Sequence, residues 1–106
     1  MRLERYEYVA DILKTLGHPI RLCIVAGLLE NPGCNVSDMQ HCLDIPQSTI
    51  SQHLAILRSK GILQGTRSGV NVRYKVVNED VVRLVKTLFP HERLSILKKR
   101  AATGNN

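Results

Sequence analysis

Between residues 47 and 76 the apolar pattern changes period once, and that change limits the fold more than any other feature of the chain. Up to Lys60, the apolar residues Ile50, Leu54 and Leu57 recur at helical spacing. Gly61 then supplies a residue suited to the position just past a helix end. From Ile62 to Thr66, across the turn Ser68-Gly69 and on through Val70, Val72, Tyr74 and Val76, the alternation is that of a β-hairpin. Upstream, Asp44-Ile45-Pro46 makes a three-residue turn. It separates the helix predicted at about 47–60 from a shorter one predicted at about 37–43. For that shorter helix Ser37 is the expected N-cap, and Gln40 the residue that reaches back to it.

The rest of the chain is helical by the same criteria. Leu3, Tyr6, Ala10 and Leu13 predict a first amphipathic helix over 3–16, broken by Gly17-His18-Pro19. A second helix, about 20–30, is apolar nearly all round (Ile20, Leu22, Ile24, Val25, Leu28, Leu29), so it is expected to be buried on most sides. Asn31-Pro32-Gly33 is a turn. Asn78-Glu79-Asp80 opens a fifth helix of about 79–89 with Val81, Leu84, Val85 and Leu88 on one face. Pro90 interrupts it, and a short further helix over 91–100 carries Leu94 and Leu97. A chain of 106 residues has room for one domain, taken as residues 1–100, with 101–106 expected as a disordered tail. The fold class is mainly α with a β-hairpin wing, in the order ααααββα. Two short helices joined by a tight turn and followed by a hairpin are the organisation of a winged helix-turn-helix.

Charge narrows the partner. The chain carries 15 Lys and Arg against 9 Asp and Glu, a net +6. Residues 1–30 cancel, four against four, whereas residues 31–78 hold Arg58, Lys60, Arg67, Arg73 and Lys75 against only Asp38 and Asp44. A basic excess that begins where the hairpin motif begins suits a polyanion such as double-stranded DNA. Aromatics make up 4% with no Trp, so the core must be aliphatic. The N-terminal MRLERYEYV lacks the apolar stretch of a secretory signal, and no apolar run approaches the ~18 residues of a membrane span. The three cysteines, spaced C-x10-C-x7-C, do not resemble a disulfide framework. The expectation is a cytoplasmic protein with reduced thiols and no membrane partner.

Turning the fourth helix at about 100° per residue separates two faces. Ile50, Leu54 and Leu57 face a core, while Ser48, Gln52, Ala55 and Ser59 point nearly opposite, flanked by Thr49 and Ser51. Small polar residues permit close approach to a major groove, and Gln52 can pair with an adenine edge. Ser48, Thr49, Ser51 and Gln52 are therefore the candidate base-reading residues. Gln47, Arg58, Lys60, Arg67 and Arg73 are the candidate backbone contacts. An ordinary surface helix with Ser, Thr and Gln on its wet side would look the same on this helix alone.

The string Ser48-Thr49-Ile50-Ser51-Gln52-His53-Leu54-Ala55-Ile56-Leu57-Arg58-Ser59-Lys60-Gly61-Ile62-Leu63 resembles the S-x-x-S-x-H-L-x-x-L-r-x-x-G-L signature of ArsR/SmtB-type repressors. Leu16-Gly17-His18-Pro19-Ile20-Arg21-Leu22 resembles that family's L-(s/a)-H-P-x-R-L, and Arg67-Ser68-Gly69-Val70-Asn71-Val72-Arg73-Tyr74 its R-x-G-x-x-x-x-Y wing. The three matches fall in order over residues 16–74. The resemblance implies a homodimeric repressor, paired through its first and last helices and released from an inverted-repeat operator by an effector that the residues do not name. His53 matches the family histidine but falls beside the core stripe. It either supports the helix from behind or reads DNA. Tyr74 poses the same choice between packing the wing and contacting DNA.

Family metal sites do not carry over. At the thiolate positions this chain has Asn35 and Ser37, and the zinc positions of the last helix are Asp80, Val82, Arg93 and Ile96, of which only Asp80 matches. No metal or cofactor is expected. Cys23 falls in the buried second helix and reads as a small core residue. Cys34 and Cys42, the latter next to His41, are candidates for a thiol sensor, although no C-x-x-C spacing supports them. No paired carboxylates, Ser/His/Asp set or phosphate-cradling glycine loop indicate an enzyme. The competing reading is a winged-helix module that docks on protein without binding DNA.

Overall fold

The computed structural model describes residues 2–90, so the helix expected over 91–100 and the tail over 101–106 lie outside the described residues. Within them the elements are α1 (Leu3–Leu16), α2 (Pro19–Glu30), α3 (Val36–Leu43), α4 (Gln47–Ser59), β1 (Leu63–Ser68), β2 (Asn71–Val76) and α5 (Glu79–Leu88). This is the ααααββα order expected of a winged helix-turn-helix.

The core forms around the stripe of α4. Ile50, Leu54 and Leu57 stand four and three residues apart, which stacks them on one helix face, and none is more than 1% exposed. They share one cluster with Ile24, Val25 and Leu28 of α2, Ile62 and Leu63 at the base of the hairpin, and Val81 and Val85 of α5. Each such side chain contributes about 1.5–3 kcal/mol by leaving water. α4 is thus fixed to the body along its inner face.

α1 forms over the expected residues and leaves its apolar stripe uncovered in the single chain. Leu3, Tyr6 and Leu13 are 61%, 62% and 51% exposed, while Ile12, Thr15 and Leu16 are buried. The helix packs its Ile12–Leu16 edge on the body and turns the predicted stripe to solvent. The buried Thr15 hydroxyl is satisfied by the Asp11 carbonyl at 2.8 Å.

Local chemistry sets the boundaries. His18 caps α2, its Nδ1 accepting from the Ile20 N–H at 3.1 Å, and Pro19 at the first helical position needs no partner for a missing N–H. The cap of α3 is a correction. Asn35, not Ser37, is the N-cap, and Asp38, not Gln40, closes the box. The Asp38 N–H donates to Asn35 Oδ1 at 2.8 Å, and the Asn35 N–H to Asp38 Oδ2 at 3.1 Å. Two capping-box sequences overlap in this stretch, and the one whose N-cap lies two residues earlier prevails. At the far end of α4, Gly61 has φ +72°. The Ile62 N–H reaches Leu57 O at 3.0 Å and the Gly61 N–H reaches Arg58 O at 3.0 Å. These two bonds make a Schellman stop, which turns the chain from α4 into the hairpin.

In the hairpin Leu63 faces Val76 and Ser68 faces Asn71, leaving Gly69 and Val70 as a two-residue loop. Gly69 takes φ +65° at the first loop position. The turn is therefore one residue later than the alternation predicts, and Val70 is a loop residue, 94% exposed. The connector between α2 and α3 runs along the open edge of β2. The Gly33 N–H donates to Tyr74 O at 2.9 Å, and the Tyr74 N–H to Cys34 O at 3.1 Å. The Tyr74 ring packs over Gly65, where a Cβ would lie 3.2 Å from Cε1 and 2.9 Å from Val72 Cγ1.

Candidate nucleic-acid interface

Asp44 enters α4's approach in the left-handed region, φ 55°, its N–H bonded to Gln40 O at 2.9 Å. That conformation is tolerated by Asp better than by most residues. It turns the chain between α3 and α4, whose first residues Gln47 and Ser48 are exposed. No side chain caps that end, and amides at such an end attract a phosphate. Gln47, Ser48, Ser51 and Gln52 are exposed, and Thr49 is half-buried. One turn on, Ala55 is exposed and adds no bulk. A shallow groove lined by Ala55, Arg58, Ser59, Leu63, Gln64 and Gly65 separates α4 from β1.

The five expected backbone contacts differ in their surroundings. Gln47, Arg58 and Arg67 are exposed. Arg73 is exposed on β2, but its Nη1 donates to the Gly33 carbonyl at 3.0 Å, which ties the wing to the α2–α3 connector. Lys60 pairs with Asp11 of α1 at 3.2 Å. Arg73 and Lys60 therefore have structural work in the absence of DNA.

His53 lies half-buried behind the exposed face of α4. Its Nδ1 is 3.4 Å from Arg21 Nη1, and its ring centroid is 4.5 Å from that of His18. Arg21 in turn donates through Nε to the Thr15 carbonyl. Burial pushes the His53 imidazole below its ordinary value, and His18 and then Arg21 push it the same way. Tyr74, 6% exposed, packs into the core cluster.

Cys34 is half-buried in the connector and Cys42 exposed at the end of α3. Burial first, then proximity to Cys42, raises the Cys23 thiol above its ordinary range, which keeps it protonated and a poor nucleophile. Asp80 accepts from Arg83 and from the Tyr8 hydroxyl, the latter at 3.3 Å. Among the described residues no three His, Cys, Asp or Glu side chains converge as a metal site.

Residues 18–64, from the α2 cap to the second residue of β1, match the family described as bacterial regulatory protein, arsR family. The chain is 41% identical over 81 residues to the transcriptional repressor PagR of Bacillus anthracis, covering 76% of this chain and 81% of that one. The chain belongs to the ArsR family. Other ArsR-family relatives include the biofilm growth-associated repressor of Xylella fastidiosa, 35% identical over 81% of this chain and 75% of the relative. The crystal structure of Bacillus anthracis PagR superposes with a TM-score of 0.76 at 38% identity, covering 82% of this chain and 99% of the other. The repressor BigR of Xylella fastidiosa gives 0.72 at 35% identity, covering 81% and 84%. The ArsR-family match spans the helix-turn-helix and stops as the wing begins.

Three features of this ArsR-family chain were not legible as site features in its sequence. His18 and Arg21 converge on His53 across more than 30 residues of chain, although the His18-Pro19-x-Arg21 motif signalled that the segment mattered. Asp11 was invisible as the partner of Lys60. Tyr8, which accepts from Asn78 Nδ2 at 2.8 Å and donates to Asp80 Oδ2 at 3.3 Å, carries no signal in the sequence that sets it apart.

Proposed function

We propose that the chain is a homodimeric transcriptional repressor that binds an inverted-repeat operator with α4 in the major groove. Ser48, Thr49, Ser51 and Gln52 read bases, and Gln47, Arg58, Lys60, Arg67 and Arg73 hold phosphates on either side. The observation that carries this reading is the division of α4. Its inner stripe is closed to solvent, while its uncapped N-terminal half offers small polar side chains beside a basic wing. Membership of a regulatory family favours DNA over a protein-docking module. No single described helix is long and apolar enough to cross a membrane, which is compatible with a repressor that meets its operator in the cytoplasm.

Dimerisation rests on the exposed apolar residues of α1 together with Leu88 of α5, 54% exposed. Large apolar residues gathered on two adjacent elements favour a partner surface. A second copy pairing there would set two reading helices about one DNA turn apart.

The test is selection of duplexes from a random pool by the full chain, followed by band shift at about 50–200 mM salt. The expected result is an enriched inverted repeat whose affinity falls steeply with salt. Failure to enrich any duplex would overturn DNA reading in favour of the protein-docking module.

A further inference from the structure

Resting on the reading of α4 as the DNA-reading helix, we propose that His18, Arg21 and His53 form a joint that holds α4 in position only while both imidazoles are neutral, so that acidification weakens DNA binding. The geometry assigns the protons. His18 Nδ1 accepts from the Ile20 N–H at 3.1 Å, so that nitrogen carries a lone pair and the ring proton sits on Nε2. An arginine has no acceptor and stays charged. His53 Nδ1, 3.4 Å from Arg21 Nη1, is therefore also the lone-pair nitrogen. The two rings lie 4.5 Å apart, and Arg21, against His53, supplies a fixed positive charge beside them.

A proton added to His53 places a second cation beside Arg21 and removes the acceptor that joins Arg21 of α2 to the outer part of α4. A proton on His18 removes the cap of α2 and adds a charge against the same ring. Among the described residues, the charged and titratable groups that act on His53 are His18 and Arg21. α1 meets the cluster through the Thr15 carbonyl, which accepts from Arg21 Nε. Among the described residues no carboxylate pairs with Arg21, His18 or His53. Among those residues, the groups against His53 are themselves cationic or titratable bases and would not neutralise an added proton. The downward displacement of the His53 imidazole by burial, His18 and Arg21 agrees with this. With the folded-state value depressed, the neutral joint is complete above the ordinary value of 6.5 and is lost as pH falls through the lower, folded value.

The predicted sign is unusual. Protonating histidines on a basic DNA-binding surface raises positive charge and ordinarily tightens binding. Here binding loosens. The experiment has two arms on the full chain at constant ionic strength. Nitrogen-15 NMR follows the imidazoles and the α4 amides from about pH 7.5 to about pH 5.5 without DNA. Anisotropy with the selected duplex follows Kd over the same range. The expected result is an unprotonated Nδ1 on both rings at neutral pH, α4 amide shifts that track His53, and a Kd that rises roughly three- to ten-fold on acidification. His53→Gln keeps an acceptor but cannot titrate, and should flatten the profile with its fold intact by circular dichroism. His18→Asn keeps a capping oxygen and should flatten it in part. Binding that tightens or stays level in the parent chain, or an equal loss in His53→Gln, would overturn the joint. No duplex binding at any pH would overturn the DNA reading, and the NMR arm would still decide the joint.

Discussion

Lys60, at the end of the reading helix, is paired with Asp11 of α1 across 49 residues of chain at 3.2 Å, with the two side chains 40% and 47% exposed. A pair this exposed contributes at most about 1 kcal/mol to stability. Its larger effect is to spend, on the protein itself, a cation proposed to hold DNA. Asp11→Asn should leave the melting temperature nearly unchanged. It should also tighten binding to the selected duplex and steepen the dependence of log Kd on log salt by about 0.9. Lys60→Ala should cost less affinity than Arg58→Ala, because among the described residues Arg58 has no ion pair to give up. An unchanged salt slope in Asp11→Asn would place Lys60 off the DNA.

Gln52 is exposed on the face opposite Leu54 and has the donor and acceptor that match an adenine edge. Gln52→Ala should cost about 1–3 kcal/mol on the best duplex and relax preference at one base step per half-site. Competition binding against single-base variants of the selected duplex measures both. If affinity and preference were both retained, the reading face would have to be moved around the helix.

Leu13 is large, apolar and half-exposed on α1. Leu13→Asp should halve the mass found by sedimentation equilibrium while leaving the helical circular dichroism signal in place. A Leu13→Asp protein that kept its dimeric mass would put the interface elsewhere. Leu54→Ala should instead lower stability by about 2–5 kcal/mol, since it opens a cavity in the core.

The two glycines that bracket the start of the wing should fail differently. Gly61 has nothing within 4 Å of an added Cβ, so Gly61→Ala adds only the backbone strain of positive φ, about 1–2 kcal/mol. Gly65 has ordinary φ, but a Cβ there meets Val72 and Tyr74. Gly65→Ala should lift the Tyr74 ring and shift the wing, changing Tyr74 ring NMR signals that Gly61→Ala leaves alone. Thermal melts and ring chemical shifts distinguish the two.

Much of this was legible because it depends on near neighbours. The core stripe of α4 follows from spacings of three and four, and the stop at Gly61 from one residue without a Cβ. The Asp44-Ile45-Pro46 turn and the Asn78 cap, whose Oδ1 accepts from the Val81 N–H at 3.1 Å, are of the same kind. Where two local signals competed, the reading slipped. Asn35-x-x-Asp38 and Ser37-x-x-Gln40 both have capping form, and only one can start α3. Val70 continued a strand alternation that a two-residue loop had already ended.

By itself, then, the sequence determined the order of elements, the inner face of the reading helix and the hairpin that follows it, since propensity, caps and periodicity act within a few residues. Tertiary structure alone decided which edge of α1 faces the body, because that depends on the surface α2 offers. It also decided that Lys60 turns to Asp11, that Arg73 ties the wing to Gly33, and that His53 meets Arg21 and His18. Each of these joins groups 32 or more residues apart. Coulomb attraction, hydrogen bonding and burial between such groups act only once the core has brought them together.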